Sequence, residues 1–324
     1  GMLSELKGLA DISLDPEYGS IVGFTTQELK DYFSGYIENA ARQLGAEPEA
    51  LLQRLTGYYD GYCFEKTATV RVMNPWSVMS FLIYPTRGFR DHWFQTGGQP
   101  SVLKDLFRSG ALKDPKNFAA VKTIPFSQLG GPAIGENFSE VDLLTQTGYL
   151  TFKSVDGNIA IVDYSTEEVR HAMAGMYLHQ LVGKTIEQAG VMDFAIRLVK
   201  DNPETLVRIF NRLLESVDYE AYSIEDAKSV LAVIQIAMIN VRLSPVIKVI
   251  AKGESVLEVQ AGERTIVLTL EYCHPDQEAE QLLQVAVSQL DKPFSGKLGG
   301  RMEILKLVLV FSESDRRITV WSVA

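Results

Sequence analysis

The fold is decided by one stretch, RTIVLTLEY at residues 264–272. Its middle, TIVLTL at 265–270, has no charged residue, which predicts a strand that is buried on both faces of a sheet. The run ILKLVLVF at 304–311 is also apolar apart from Lys306, and it predicts a second strand of this kind. Two such central strands need helices to cover both faces of the sheet, so we expect a mixed, α+β protein.

The neighbouring segments predict the remainder of a C-terminal domain over residues 186–324. Helical periodicity extends over 224–243 and 276–290, and the second of these helices separates the two apolar strands. Further strands are predicted at 246–252, 255–260 and 317–323. The predicted order of elements is therefore α-β-β-β-α-β-β.

The first 185 residues predict two smaller parts. Residues 1–124 are predicted to form a helical domain, with a capping box at Thr25 and Glu28, a second short helix after Pro48 and a further helix start at Asn74-Pro75. Residues 125–185 contain a helix, a hairpin around Asp156-Gly157 and another helix. This arrangement predicts a small winged-helix-like unit.

The composition is that of an ordinary globular protein. The 324 residues include 46% hydrophobic side chains, and 31 Lys and Arg against 41 Asp and Glu give a net charge of −10. General attraction to a polyanion is therefore not expected. We found no apolar run that could span a bilayer and no signal peptide, so no membrane partner is expected. Two cysteines favour a reducing compartment and a cytoplasmic location. Because Gly1 precedes Met2, we expect the natural chain to begin at Met2.

Several segments of the chain resemble one known family, in order along the sequence. They are LADISLDPEYGSIVGFTTQEL, YYDGYCF, MNPWSVMSFL, HWFQTGG, LLTQTGYLTFK, EEVR and the closing LVLVFS and ITVW. These segments are similar to the AAA-ATPase-like proteins that carry a C-terminal PD-(D/E)xK nuclease domain (DUF1703-type). The resemblance implies that residues 1–124 correspond to the lid region of the ATPase, and that the C-terminal domain is restriction-endonuclease-like.

A nucleotide site is not expected in this chain. The phosphate-binding loop requires the pattern G-x-x-x-x-G-K-[ST] after a strand. Gly183-Lys184-Thr185 is the only similar triplet, and Leu178 occupies the position of the first glycine. By the resemblance, the chain begins downstream of the place where the phosphate loop of the family would lie.

The resemblance also implies a degenerate nuclease motif. In the family, an aspartate and a glutamate on adjacent strands hold a divalent metal ion, and a lysine two residues after the glutamate orients water. Alignment with these motifs puts Val256 at the aspartate, Thr269 at the glutamate and Glu271 at the lysine. Gln289 matches a glutamine of the family, and Glu225 matches a glutamate on the first helix of the domain. Valine and threonine are poor ligands for Mg²⁺ or Mn²⁺.

Relocated ligands are the alternative. Glu258 shares a predicted strand face with Val256, and Glu271 shares one with Thr269, so these two glutamates, with Glu225, form a candidate metal site. The competing interpretation is that both are solvated charges near strand ends. The metal would be Mg²⁺ or Mn²⁺ in the alternative, and no cofactor is expected otherwise.

Other candidate ligands and contacts are weaker. His171 and His179 are separated by about 12 Å along one predicted helix, too far for one metal ion. His274 follows Cys273 without a second ligand pair nearby. An aromatic cluster, predicted to be core rather than a base-stacking platform, comprises Tyr58, Tyr59, Tyr62, Phe64 and Trp76. Lys292, Lys297 and Arg301 lie in a candidate loop for contacts with phosphates.

Three hypotheses for function result. The first is a non-catalytic member of the ATPase and nuclease family, acting as an interaction or regulatory module for a protein partner, with nucleic acid as a weaker second candidate. The second is a metal-dependent nuclease with relocated carboxylates. The third is a remnant without selected activity.

Overall fold

The computed structural model describes residues 12–95, 114–126, 140–182, 189–191, 193–249, 255–290 and 303–324. Helices and strands alternate along these residues, which confirms the mixed α+β class. The chain divides into two compact units. Unit 1 comprises residues 1–106 and 120–172, and unit 2 comprises residues 107–119 and 173–324. Domain boundaries at 124 and 185 stay a prediction.

Unit 1 begins with helices, as predicted. They are α1 (Thr26–Tyr32), α2 (Ser34–Leu44), α3 (Pro48–Tyr59), α4 (Pro75–Ile83) and α5 (His92–Gln95), with short 3-10 helices at Pro16–Tyr18 and Pro85–Arg87. The predicted capping box is confirmed, because Thr25 accepts from the amide of Glu28 and Glu28 accepts from the amide of Thr25. Asn74 caps α4 by accepting a hydrogen bond from the Trp76 amide.

Two small sheets complete unit 1. Strand β1 (Asp60–Tyr62) pairs with β2 (Val72–Met73), and the second sheet contains β3 (Lys122–Pro125), β4 (Leu150–Asp156) and β5 (Ile159–Tyr164) in the order β3-β5-β4. The predicted hairpin is β4 and β5, with Gly157 in its turn at φ +59°. Strand β3 was not predicted. Helix α6 (Glu140–Gln146) precedes the hairpin and α7 (Glu167–Leu181) follows it.

Unit 2 is built on a five-stranded sheet. Its strands are β6 (Val246–Val249), β7 (Ser255–Ala261), β8 (Arg264–Cys273), β9 (Glu303–Ser312) and β10 (Arg317–Val323), in the order β10-β9-β8-β7-β6. Its helices are α8 (Phe194–Lys200), α9 (Pro203–Leu214), α10 (Ala227–Asn240) and α11 (Ala279–Leu290), with a 3-10 helix at Pro115–Phe118. From α10 to β10 the elements follow the predicted order.

Strand β8, which contains the apolar run TIVLTL, is the central strand of this sheet. It pairs antiparallel with β7 and parallel with β9. Leu268, Thr269 and Leu270 are consecutive and all buried, and the same holds for residues 307–312 of β9. Because neighbouring side chains of a strand point to opposite faces, such runs are covered on both sides. Helix α10 is buried along its whole middle, which agrees with its lack of a polar face.

Candidate functional site

The two nuclease-like ligand positions face each other. Val256 of β7 and Thr269 of β8 are direct partners in the register of the sheet. Both are buried, with exposed fractions of 1% and 5%. Side chains in such a pair lie close together, with Cβ atoms about 5 Å apart. The two positions that the resemblance assigns to metal ligands are therefore brought together, but they hold an aliphatic group and an alcohol. These residues do not fit a divalent cation.

The relocated glutamates are on one face of the sheet but far from each other. Glu258 pairs with Val267 in the register, and Glu271 lies four positions further along β8. At about 3.3 Å per residue, this separates the two glutamates by about 13 Å along the strand. Side chains on one face of a sheet stand roughly perpendicular to it and therefore parallel to each other, and metal–oxygen bonds are only about 2.0 to 2.6 Å long, so one ion cannot bridge this separation. The expectation that these glutamates converge is wrong, because a shared face does not give a shared position.

Glu258 has a cationic neighbour. Its carboxylate lies 2.6 Å from the Nζ atom of Lys248, on the adjacent strand β6. The salt bridge is partly exposed, and it satisfies the glutamate without a metal ion. This contact favours the interpretation of Glu258 as a solvated surface charge over its interpretation as a metal ligand.

Glu225 lies in a different place. The helix that was predicted to start at Ile224 begins at Ala227, with Asp226 as its N-cap, so Glu225 precedes the helix rather than belonging to it. Glu225 lines a cleft together with Tyr272. Tyr272 follows Glu271 in β8, and adjacent side chains of a strand point to opposite faces. The structure therefore separates Glu225 from Glu258 and Glu271.

Several predicted positions lie outside the described residues. These are the triplet Gly183-Lys184-Thr185 and the three basic residues Lys292, Lys297 and Arg301. Gln289 lies in α11, but its side chain is outside the described part of the structure. Among the residues that are described, no three His, Cys, Asp or Glu side chains are grouped so that they could hold a metal ion. None of the described helices combines the length and the apolar character needed to cross a bilayer.

Two histidines have local partners, and the two cysteines are buried thiols. His171 Nδ1 lies 3.2 Å from the Tyr58 hydroxyl, and His274 Nδ1 lies 2.9 Å from a Glu313 carboxylate oxygen. Cys63 and Cys273 are both free and buried. Burial raises the pKa of each thiol, which disfavours the reactive thiolate.

Unit 1 contains two buried carboxylates that the sequence did not indicate as a site. Glu168 accepts hydrogen bonds from the Ser77 hydroxyl and the Trp93 amide at the start of α5. Burial raises the pKa of Glu168 to about 7, although these hydrogen bonds act in the opposite direction. Burial also acts to raise the pKa of Glu65, but hydrogen bonds from Thr67, Val70 and Thr69 outweigh it and lower the pKa to about 2. Glu168 lies in the segment EEVR, which carries the family resemblance, and Glu65 directly follows the segment YYDGYCF.

The predicted aromatic core of unit 1 is partly wrong. Tyr59 and Tyr62 are buried as expected, but Phe64 and Trp76 are 40% and 56% exposed. Trp76 belongs to an exposed stripe of α4 that also contains Met79 and Ile83. Phe64 lines a mostly apolar groove of about 690 Å³ with Tyr18, Ile21 and Val22. The sequence pattern predicted the helices and turns that carry these rings, but it did not determine which face of each element packs against the core.

Comparison with known proteins gives one distant similarity. A protein described as "Uncharacterized protein in vnfD 5'region", from Azotobacter chroococcum mcd 1, is 28% identical over 154 residues. The match covers 48% of this chain and 26% of that protein, so the chain spans about a quarter of the length of the relative. No protein-family model matches the chain. No solved structure matches it either.

Proposed function

We propose that this chain is a non-catalytic member of the AAA-ATPase-like and PD-(D/E)xK nuclease family that acts as an interaction or regulatory module. The observation that carries the proposal is the buried pair of Val256 and Thr269, directly opposite each other on β7 and β8. In this proposal residues 1–124 are the lid-like part, 125–185 the winged-helix-like unit and 186–324 the restriction-endonuclease-like domain.

The chemical reason is electrostatic. A metal-dependent nuclease uses carboxylates to hold a dication, and the dication activates a water molecule for attack on phosphorus. Val256 and Thr269 supply no negative charge. Glu271, at the position assigned to the lysine, has the opposite charge to the residue that it replaces. The element order and the cross-strand pairing support descent from a nuclease, while the side chains oppose nuclease activity.

The proposed partner is a protein that binds unit 1. Exposed apolar side chains are concentrated there, in the α4 stripe and beside the apolar groove. Tyr32 of α1 and Tyr36 of α2 are also 76% and 62% exposed. Large exposed apolar surfaces are typical of protein–protein contacts. A nucleic-acid-containing complex is the second candidate, and it is the weaker one because the net charge is −10.

Thermal melting in the presence of ligands tests the proposal. A ligand that binds only the folded state raises the melting midpoint by mass action. We expect no shift of the midpoint with Mg²⁺, Mn²⁺ or ATP, and no cleavage of plasmid DNA or of single-stranded RNA with either metal ion. A midpoint that rises with Mn²⁺, together with loss of that rise in Glu271→Gln, would instead support the nuclease with relocated carboxylates.

A variant that restores the motif provides the positive control. Val256→Asp combined with Thr269→Glu places two carboxylates in the buried pair, where repulsion and desolvation should lower stability without metal. We expect Mn²⁺ to restore part of that stability in this variant and not in the wild type. Val256→Asn combined with Thr269→Gln is the matched control, since it adds similar volume without charge. Equal responses of the two variants to Mn²⁺ would contradict the assignment of these positions.

A further inference from the structure

A cleft in unit 2 is lined by neither Val256 nor Thr269, the buried pair on which the proposed function depends. It has a volume of about 580 Å³ and opens where the parallel strands β8 and β9 end. Its lining includes Tyr219, Glu225, Tyr272, Phe311, Glu313 and Arg316. The crevice at the carboxyl ends of parallel strands is a common place for a ligand, because the chain leaves the sheet in different directions there.

The floor of this cleft is a row of aromatic rings. The Tyr219 and Phe311 rings are stacked with centroids 6.5 Å apart, and the Phe311 and Tyr272 rings are 5.5 Å apart. Each tyrosine hydroxyl donates to a backbone carbonyl, Tyr219 to Leu214 and Tyr272 to Ile224, both at 3.0 Å. These hydrogen bonds fix the rings before any ligand arrives, which reduces the entropic cost of binding.

The rim of the cleft is acidic. Glu220, Glu225 and Glu313 are exposed lining residues, against one lining cation, Arg316. The negative charges of Glu313 and Glu225 act on the Tyr272 hydroxyl. Burial raises the pKa of this hydroxyl to about 12, and the two negative charges act in the same direction. A cation near Tyr272 would therefore be attracted, and a phosphate would be repelled.

The guanidinium of Arg316 already contacts one ring of this aromatic row. The Arg316 guanidinium carbon lies 4.9 Å from the centre of the Tyr219 ring, a cation–π contact. The φ of Arg316 is +54°, in the left-handed region where glycine is favoured. The contact covers Tyr219, at one end of the row. At the other end, the Tyr272 ring lies 4.9 Å from the His274 ring, and His274 Nδ1 lies 2.9 Å from a Glu313 carboxylate oxygen. An imidazole thus already combines an aromatic contact with a carboxylate contact at this end, and a guanidinium that binds there competes with it.

We propose that this cleft binds an arginine side chain from a basic segment of a protein partner, with the guanidinium stacked on Tyr272 and paired with Glu225 and Glu313. Arginine fits better than lysine, because a planar guanidinium both stacks on a ring and pairs with carboxylates. The net charge of −10 favours the approach of a basic partner. This inference goes beyond the proposed function, which places the partner on unit 1, and it requires neither the family ancestry nor an inactive nuclease site.

The test uses a fluorescein-labelled peptide with three Gly-Gly-Arg repeats, measured by fluorescence anisotropy without divalent metal ions. Matched peptides replace arginine with citrulline, which has nearly the same shape but no charge, or with lysine. We expect binding to weaken at least about tenfold with citrulline, and to a smaller extent with lysine. The Glu225→Gln/Glu313→Gln double variant should also bind the arginine peptide at least about tenfold more weakly.

The control variant is Glu38→Gln/Glu47→Gln, which removes the same two charges from exposed positions of unit 1. It should bind the arginine peptide within about twofold of the wild type, since bulk charge alone has a small effect at physiological salt. Equal loss in both double variants, equal binding of the citrulline peptide, or no binding at millimolar arginine peptide would each overturn the proposal. None of these outcomes changes the metal-dependent melting result, so failure of this inference is separable from failure of the proposed function.

Discussion

Asn211 holds the backbone of Ile318 with both polar atoms of its side chain. The Ile318 amide donates to Asn211 Oδ1 at 2.7 Å, and Asn211 Nδ2 donates to the Ile318 carbonyl at 2.9 Å. Ile318 is in β10, which lies at one end of the described strand order. The side-chain amide of Asn211 thus takes the place of a neighbouring strand and joins α9 to the edge of the sheet.

We expect Asn211→Ala to lower the free energy of unfolding by about 2 kcal/mol, because it leaves two backbone groups of Ile318 without their partners. Urea denaturation would measure the change. Arg208→Ala on the same helix is the control, since its salt bridge to Glu204 is exposed and should contribute less than about 0.5 kcal/mol. Equal effects of the two changes would mean that the Asn211 contact adds little to stability.

Two glycines of unit 1 should respond in opposite ways to substitution by alanine, one by a loss and the other by a gain of stability. Gly61 has φ +140°, and a Cβ atom there would overlap the carbonyl oxygen of Ser165. Gly57 lies in α3 with open space around its Cα. Gly61→Ala should destabilise by about 3 kcal/mol or prevent folding, whereas Gly57→Ala should stabilise by about 0.5 to 1 kcal/mol. Melting temperatures of the two variants would test this, and a tolerated Gly61→Ala would contradict the packing of β1 against Ser165.

Glu168 should make the protein less stable as the pH rises. Its pKa is raised from 4.5 to about 7 on folding, so the folded state binds more protons than the unfolded state between these values. Stability from the protonated carboxyl is complete below about pH 4.5 and is lost as the pH rises to about 7. In Glu168→Gln, which keeps an acceptor for Ser77 and Trp93, this loss should disappear. The measurement is the difference in melting midpoint between variant and wild type from pH 5 to 8, and a constant difference would refute the raised pKa.

Glu65 should have the opposite pH dependence. Its pKa is lowered from 4.5 to about 2, so the ionised carboxylate stabilises the folded state above about pH 4.5 and loses that effect as the pH falls toward 2. Glu65→Gln should cost on the order of 2 kcal/mol at pH 6, because charge-assisted hydrogen bonds from the Thr67, Thr69 and Val70 amides are weakened. The cost should shrink at pH 3. Urea unfolding at both pH values checks it, and a pH-independent cost would show that packing rather than charge is lost.

Local signals were sufficient for much of the secondary structure. The capping box at Thr25 and Glu28, the hairpin turn at Gly157 and the apolar run of β8 each depend on neighbours within a few residues, and all three are confirmed. Strand β3 was missed because four residues carry too little periodicity to separate a strand from a loop. The start of α10 was placed early because Asp226, the actual cap, stands inside an otherwise continuous helical pattern.

The arrangement of the candidate sites required the fold. Period two correctly placed Val256 with Glu258, and Thr269 with Glu271, on common faces, but the register between β7 and β8 is not encoded in either strand alone. That register pairs Val256 with Thr269 and moves Glu258 away from Glu271. In the same way, no sequence pattern joins Tyr219 to Tyr272 and Phe311.

The sequence by itself determined which residue types are available: apolar central strands, and a valine and a threonine at the positions that the resemblance assigns to carboxylates. Only the tertiary structure decided which of them meet. Side-chain identity and local hydrogen bonds act over a few residues, whereas strand register and the ends of parallel strands result from packing between segments far apart in the chain.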